Sequence, residues 1–149
     1  MINRKSALAL FFVSALPVTP SHADSLPDEY MKVAVSGGRR PVIDIATNLP
    51  ENMQVSVDVN PVGGGFDDGG TYTVHNGHVH VGPLSNSGYD APAGTYNLLI
   101  TSPVTQFQAD PKVQDLLGDE GQNLHGPDAK ESEVGMGKVI DIRSSFTIN

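Results

Sequence analysis

Tyr72-Thr73-Val74-His75-Asn76-Gly77-His78-Val79-His80-Val81 constrains this chain more than any other segment. Asn-Gly between two alternating runs is the favoured two-residue turn of a β-hairpin. Both central residues need positive φ, which Asn tolerates and Gly adopts without steric cost. With the turn placed there, His75 faces His78, Val74 faces Val79 and Thr73 faces His80. Residues two apart on a strand share a face. Tyr72, Val74, Val79 and Val81 therefore form an apolar face for a core, and His75, His78 and His80 project together from the other. Cross-strand neighbours in such a pair lie about 5 Å apart at Cβ.

The rest of the chain repeats the β pattern. Met53, Val55, Val57 and Val59 alternate with Gln54, Ser56, Asp58 and Asn60, a strand with one buried and one solvated face. Shorter strands are expected over 31–35, 41–47, 95–101 and 138–149, the last bent near Ser144-Ser145. The Gly-rich run 63–70 reads as a flexible loop, and 24–30 as a loose polar terminus. Asp110, Pro111 and Gly118 bracket one short helix as cap, first residue and stop. Val113, Leu116 and Leu117 form its apolar face. Residues 119–137, polar and Gly-rich, read as a long surface loop. Six or seven strands with one helix predict a mostly β, single-domain sandwich of immunoglobulin-like or prealbumin-like type. A small open barrel is the competing arrangement.

Residues 1–23 read as a cleavable export signal. Arg4 and Lys5 supply the positive start, and residues 7–16 form an apolar stretch too short for the roughly 20 residues a membrane span needs. Pro17 and Pro20 follow, and Ser21-His22-Ala23 places small residues at a cleavage site. The expected mature domain, residues 24–149, is delivered to the periplasm or the medium. The chain has no Cys, so stability there must come from packing rather than disulfides. Loss of Arg4 and Lys5 takes the formal charge from −8 to −10. So acidic a domain repels phosphate backbones and anionic headgroups, which argues against nucleic-acid partners. The expected partner is a protein or small ligand, with no membrane span.

Three of the five histidines fall on the hairpin, and imidazole is a good ligand for Zn²⁺ and Cu²⁺. His75, His78 and His80 could supply most of a metal site, completed by Asp67, Asp68 or water. An exposed strand face must in any case be polar, so the cluster also has a purely structural reading. The expectation is therefore of no obligate cofactor, with Zn or Cu as the alternative. No serine stands in a nucleophile-elbow context, and His125 is isolated in a Gly-rich loop. Asp67-Asp68 and Asp119-Glu120 lack the alternating oxygen spacing of a calcium loop. Gly37-Gly38-Arg39-Arg40 suits local ion pairing better than phosphate binding. Together these point to a non-enzymatic protein.

His78-Val79-His80 followed by Gly82 resembles the copper-ligating strand of copper/zinc superoxide dismutases. That resemblance spans about five residues and stops there. The family's cysteine pair, its zinc loop with further histidines and its arginine in a Gly-rich, Cys-containing segment near the C-terminus are missing, so dismutase activity is not implied. Over a longer stretch, Gly82-Pro83-Leu84-Ser85 and Pro92-Ala93-Gly94-Thr95-Tyr96-Asn97-Leu98-Leu99-Ile100 resemble the closing part of exported immunoglobulin-like modules. The continuation Val113 to Gly118 and Gly121-Gln122-Asn123-Leu124-His125-Gly126-Pro127 is similar to small, poorly characterised secreted bacterial β-sandwich proteins. That resemblance implies a binding or structural module and carries no catalytic residues with it.

Overall fold

Alternation along each strand requires two layers, so that every apolar face has something to bury against. In the computed structural model, which describes residues 26–65 and 67–149, the chain forms two antiparallel sheets and one α-helix. The export-signal reading of residues 1–23 lies outside the described residues. The strands are β1 (Met31–Ser36), β2 (Val42–Thr47), β3 (Gln54–Pro61), β4 (Asp68–Thr73), β5 (His78–Val81), β6 (Gly94–Thr101), β7 (Ala129–Glu131) and β8 (Lys138–Ile148). One sheet has the order β1-β2-β5, the other β4-β3-β6-β8-β7.

The inward residues of both sheets join one hydrophobic cluster. Ile43 and Ile45 of β2 and Val79 and Val81 of β5 meet Val55, Val57 and Val59 of β3 and Leu98 and Ile100 of β6. Tyr96 is buried beside them, stacked on Phe146 of β8 with ring centroids 5.5 Å apart. Its hydroxyl donates to the carbonyl of Pro92 at 2.7 Å, satisfying the polar end of a buried ring.

Several expectations change. The described residues hold eight strands rather than six or seven, because Ala129–Glu131 pairs with β8 inside the segment read as a surface loop. That segment is anchored by Leu124, which is buried in the core cluster. The glycine run read as a loop contributes Asp68, Gly69 and Gly70 to β4. A Cβ at Gly69 would collide with the β3 backbone, so the strands approach there only because a side chain is absent. Residues 26–30 are docked rather than loose. Leu26 packs on the core, and Glu29 is buried, with its Oε1 accepting from Asp128 N at 2.6 Å. Gly126, at φ +115°, has no Cβ to strike that carboxylate.

The helix, α1 (Pro111–Leu117), has its expected cap, Asp110 accepting from Lys112 N at 2.9 Å, and ends at Gly118. Val113 and Leu117 are buried, but Leu116 faces outward, because a seven-residue helix presents too narrow a face for all three. A 3-10 turn, Thr105–Phe107, precedes it. No helix among the described residues is long and apolar enough to cross a membrane.

Ile100 is fully buried and Leu116 is 48% exposed. Ile100→Ala is expected to cost about 2–5 kcal/mol of unfolding free energy and Leu116→Ala less than about 0.5 kcal/mol. Urea denaturation of the two variants checks this, and equal losses would show that the core is drawn wrongly.

Candidate functional site: the histidine cleft

The Asn-Gly turn forms as expected. Asn76 and Gly77 have φ of 50° and 75°, and His75 and His78 exchange two backbone hydrogen bonds of 2.9 Å each. The hairpin ends after that single pair. Val74 N donates to Met53 O and Asn52 N to Val74 O, each at 2.9 Å, which carries the first arm onto β3. Thr47 N donates to Gly77 O, also at 2.9 Å, and β5 then pairs with β2. Thr73 therefore pairs with Gln54 and His80 with Asp44, and the expected Thr73–His80 pairing is not made. A two-stranded ribbon buries little by itself. Sending its arms to different sheets puts Val74, Val79 and Val81 into a core both sheets share.

The histidines nevertheless share a side. His75, His78 and His80 line one cleft of about 400 Å³ with Thr71, Tyr72 and Thr73, at the seam between the edge strands of the two sheets. Neither Asp67 nor Asp68 lines it. Asp68 stands at the far end of β4, where its carboxylate accepts from Gly69 N and Ser85 N. The nearby acids are two that sequence did not single out. His80 Nδ1 lies 2.6 Å from Asp44 Oδ1, and His75 Nδ1 lies 3.1 Å from Glu51 Oε1. An ionised carboxylate can only accept, so in both rings the proton sits on Nδ1. The neutral imidazole then keeps its lone pair on Nε2. The alternation of β2 marks Asp44 as outward-facing, but only the β2–β5 register brings it beside His80.

Glu51 is held by two donors, the His75 ring and the Asn76 amide at 2.8 Å. They lower its pKa below the ordinary glutamate value, with His75 the larger influence. Burial within β4 and the nearby Asp68 and Asp58 carboxylates push the Tyr72 hydroxyl the other way, keeping it a protonated donor. Asp44 and Glu51 belong to different elements, so His75 and His80 are steadied from different sides. Among the described residues no three histidine, cysteine, aspartate or glutamate side chains converge tightly enough to hold a metal ion. The two paired rings are 64% and 63% exposed, so their Nε2 atoms are open to solvent.

The basic spot behaves as a local pairing site. Arg40 meets Asp90 at 3.0 Å and the Gly88 carbonyl at 2.7 Å, and Arg39 donates to Ala91 O. No protein-family model, curated protein or solved structure matches this chain.

The depressed pKa of Glu51 has a definite sign for the turn. Its bonds to His75 and Asn76 are present above the unfolded carboxylate pKa and are lost as pH falls through the lower folded value. The Asn76 amide resonance is expected to titrate with a midpoint below that of a free glutamate, and Glu51→Gln should abolish the transition. A midpoint at the ordinary value would remove the Glu51 contact from the account.

Proposed function

We propose that this chain is an exported, immunoglobulin-like binding or cell-envelope accessory module rather than an enzyme, whose partner is a protein or small ligand. The observation that carries the fold part is the Tyr96 hydroxyl bonded to the Pro92 carbonyl four residues upstream, at the entry to β6. It has the form of the tyrosine corner of immunoglobulin-type sandwiches, in which a tyrosine near the start of a strand bonds back to the backbone a few residues upstream. Strand order supports the reading in part, with β1-β2-β5 forming one layer and β4-β3-β6-β8-β7 the other, the first, second and fifth strands lying together and the third beside the sixth. The fourth strand stands beside the third here, whereas the seven-strand constant-type domain places it with the first, second and fifth. Export rests on Arg4, Lys5, the apolar run and Ser21-His22-Ala23. Cells expressing the full chain should yield a mature protein beginning near Asp24 outside the cytoplasm. Recovery of unprocessed chain in the cytoplasm would overturn the export reading.

The two Nδ1–carboxylate pairs favour a second reading, a periplasmic metal-binding protein that takes Zn²⁺ or Cu²⁺ on His75, His78 and His80. Metal-ligating histidines characteristically donate their other ring N–H to a carboxylate, which fixes the tautomer and strengthens the free nitrogen as a ligand. Asp44 and Glu51 already stand in that position. Calorimetric titration with Zn²⁺ and Cu²⁺ should show binding that His78→Ala with His80→Ala removes. Asp44→Asn or Glu51→Gln should weaken it by about tenfold or more. Equal weak binding by wild type and the double histidine variant would end the metal reading.

A further inference from the structure

The alternation that sends Val57, Val59, Leu98 and Ile100 into the core turns their neighbours onto the outer face of the larger sheet. There the register sets side chains in rows. Asn60 of β3 stands opposite Asn97 of β6, and Asn97 opposite Ser145 of β8. The next row is Asp58, Leu99 and Arg143. Neighbours within a row are about 4.8 Å apart, one strand spacing. Asn60, Asn97, Leu99, Arg143 and Ser145 line a cleft of about 720 Å³, to which the β7–β8 connection contributes Glu133.

That connection is held in place. Ser132 N donates to Gly137 O at 2.8 Å and Met136 N to Ser132 Oγ at 2.9 Å, closing it into a tight turn. Glu133 accepts from Arg143 Nη2 at 3.1 Å, and Asp141 accepts from Nε and Nη2 of the same guanidinium, each at 3.1 Å. One cation thus faces two carboxylates, and Asp58 stands on the same face, so an anion finds no net attraction here. The other row is neutral. Among the described residues, the side chains of Asn60, Asn97 and Ser145 bond to no other part of the protein. Each amide offers two donors and an acceptor, and the hydroxyl offers both. Leu99, half-buried, is the one apolar side chain in the two rows.

We propose that this cleft binds an uncharged sugar, with Asn60, Asn97 and Ser145 on its hydroxyls and Leu99 against the C–H face of its ring. A sugar hydroxyl both donates and accepts, so adjacent hydroxyls suit a row of amides and a serine. The row stands on three mutually paired strands, which fixes its spacing before any ligand arrives. The volume lies within the range of about 300–1,000 Å³ common to small-ligand sites. No aromatic ring lines the cleft, so binding is weak and exchange fast. The inference rests on the binding-module reading and gives that module a small ligand, at a site sharing no lining residue with the histidine cleft.

NMR titration of isotope-labelled protein, expressed from the full chain, with maltose, cellobiose and N,N′-diacetylchitobiose tests this. At least one of these should shift the side-chain amide resonances of Asn60 and Asn97 and the Leu99 methyls saturably. Glucuronic acid should not. Asn97→Ala, at an exposed position, should keep the melting temperature and weaken the binding by about tenfold, the loss of one or two hydrogen bonds. No saturable shift with any of the three sugars, shifts confined to other parts of the protein, or equal affinity in Asn97→Ala would overturn the site. Equal binding of glucuronic acid would overturn its preference for an uncharged ligand. None of these failures touches the export reading, which N-terminal processing tests separately.

Discussion

Val74 and Val79 lie on either side of the His75–His78 bridge, and both are buried in the one hydrophobic cluster. They belong to arms that separate at once, one following β3 and the other β2. A two-residue turn that changes sheet leaves little freedom for what lies around it. The layer holding β3 must also hold β4, and the layer holding β2 must also hold β5. The placing of β4 and β5 in different sheets, the seam between them and the side on which the histidines emerge follow from that parting of two valines into a common core. The driving force is apolar burial, since a free hairpin would keep half of that surface in water.

The electrostatics of the seam depend on the same event. Asp44 reaches His80 across 36 positions of sequence and Glu51 reaches His75 across 24. Neither pair exists until β5 lies on β2 and the β2–β3 turn stands over the hairpin. A chain this acidic has carboxylates to spare. The fold sets two of them against imidazole nitrogens, which keeps the rings outward and fixes which nitrogen carries the proton.

The opposite requirement, closing the end of the sheets, falls to the long connection between β6 and β8. Gln108 is almost wholly buried, and its side-chain amide accepts from Gln54 N and donates to Gln54 O. It continues the β6 side of the ladder with a side chain where the strand has stopped. Val113, Leu117 and Leu124 cover the apolar end of the core, and Glu29 ties the segment before β1 to the same cap. In a chain without disulfides, this side-chain stitching holds a connection that would otherwise fray.

Local chemistry was enough to determine the strands with clear alternation, the Asn76-Gly77 turn, the Asp110 and Gly118 ends of the helix, and the shared face of the three histidines. Each depends on neighbours a few residues apart, through φ preference, period or capping. The partners came only from the tertiary structure: which strand each hairpin arm joins, Asp44 and Glu51 beside the histidines, Leu116 turned outward, and Glu29 and Leu124 turned inward. Those outcomes are set by register between distant segments and by burial in a common core. A glycine run could enter β4 because its lack of side chains let β3 come close, which a local reading takes only as flexibility. The hairpin was legible as a turn with a histidine face. That it is the place where the chain passes from one sheet to the other was decided by packing alone.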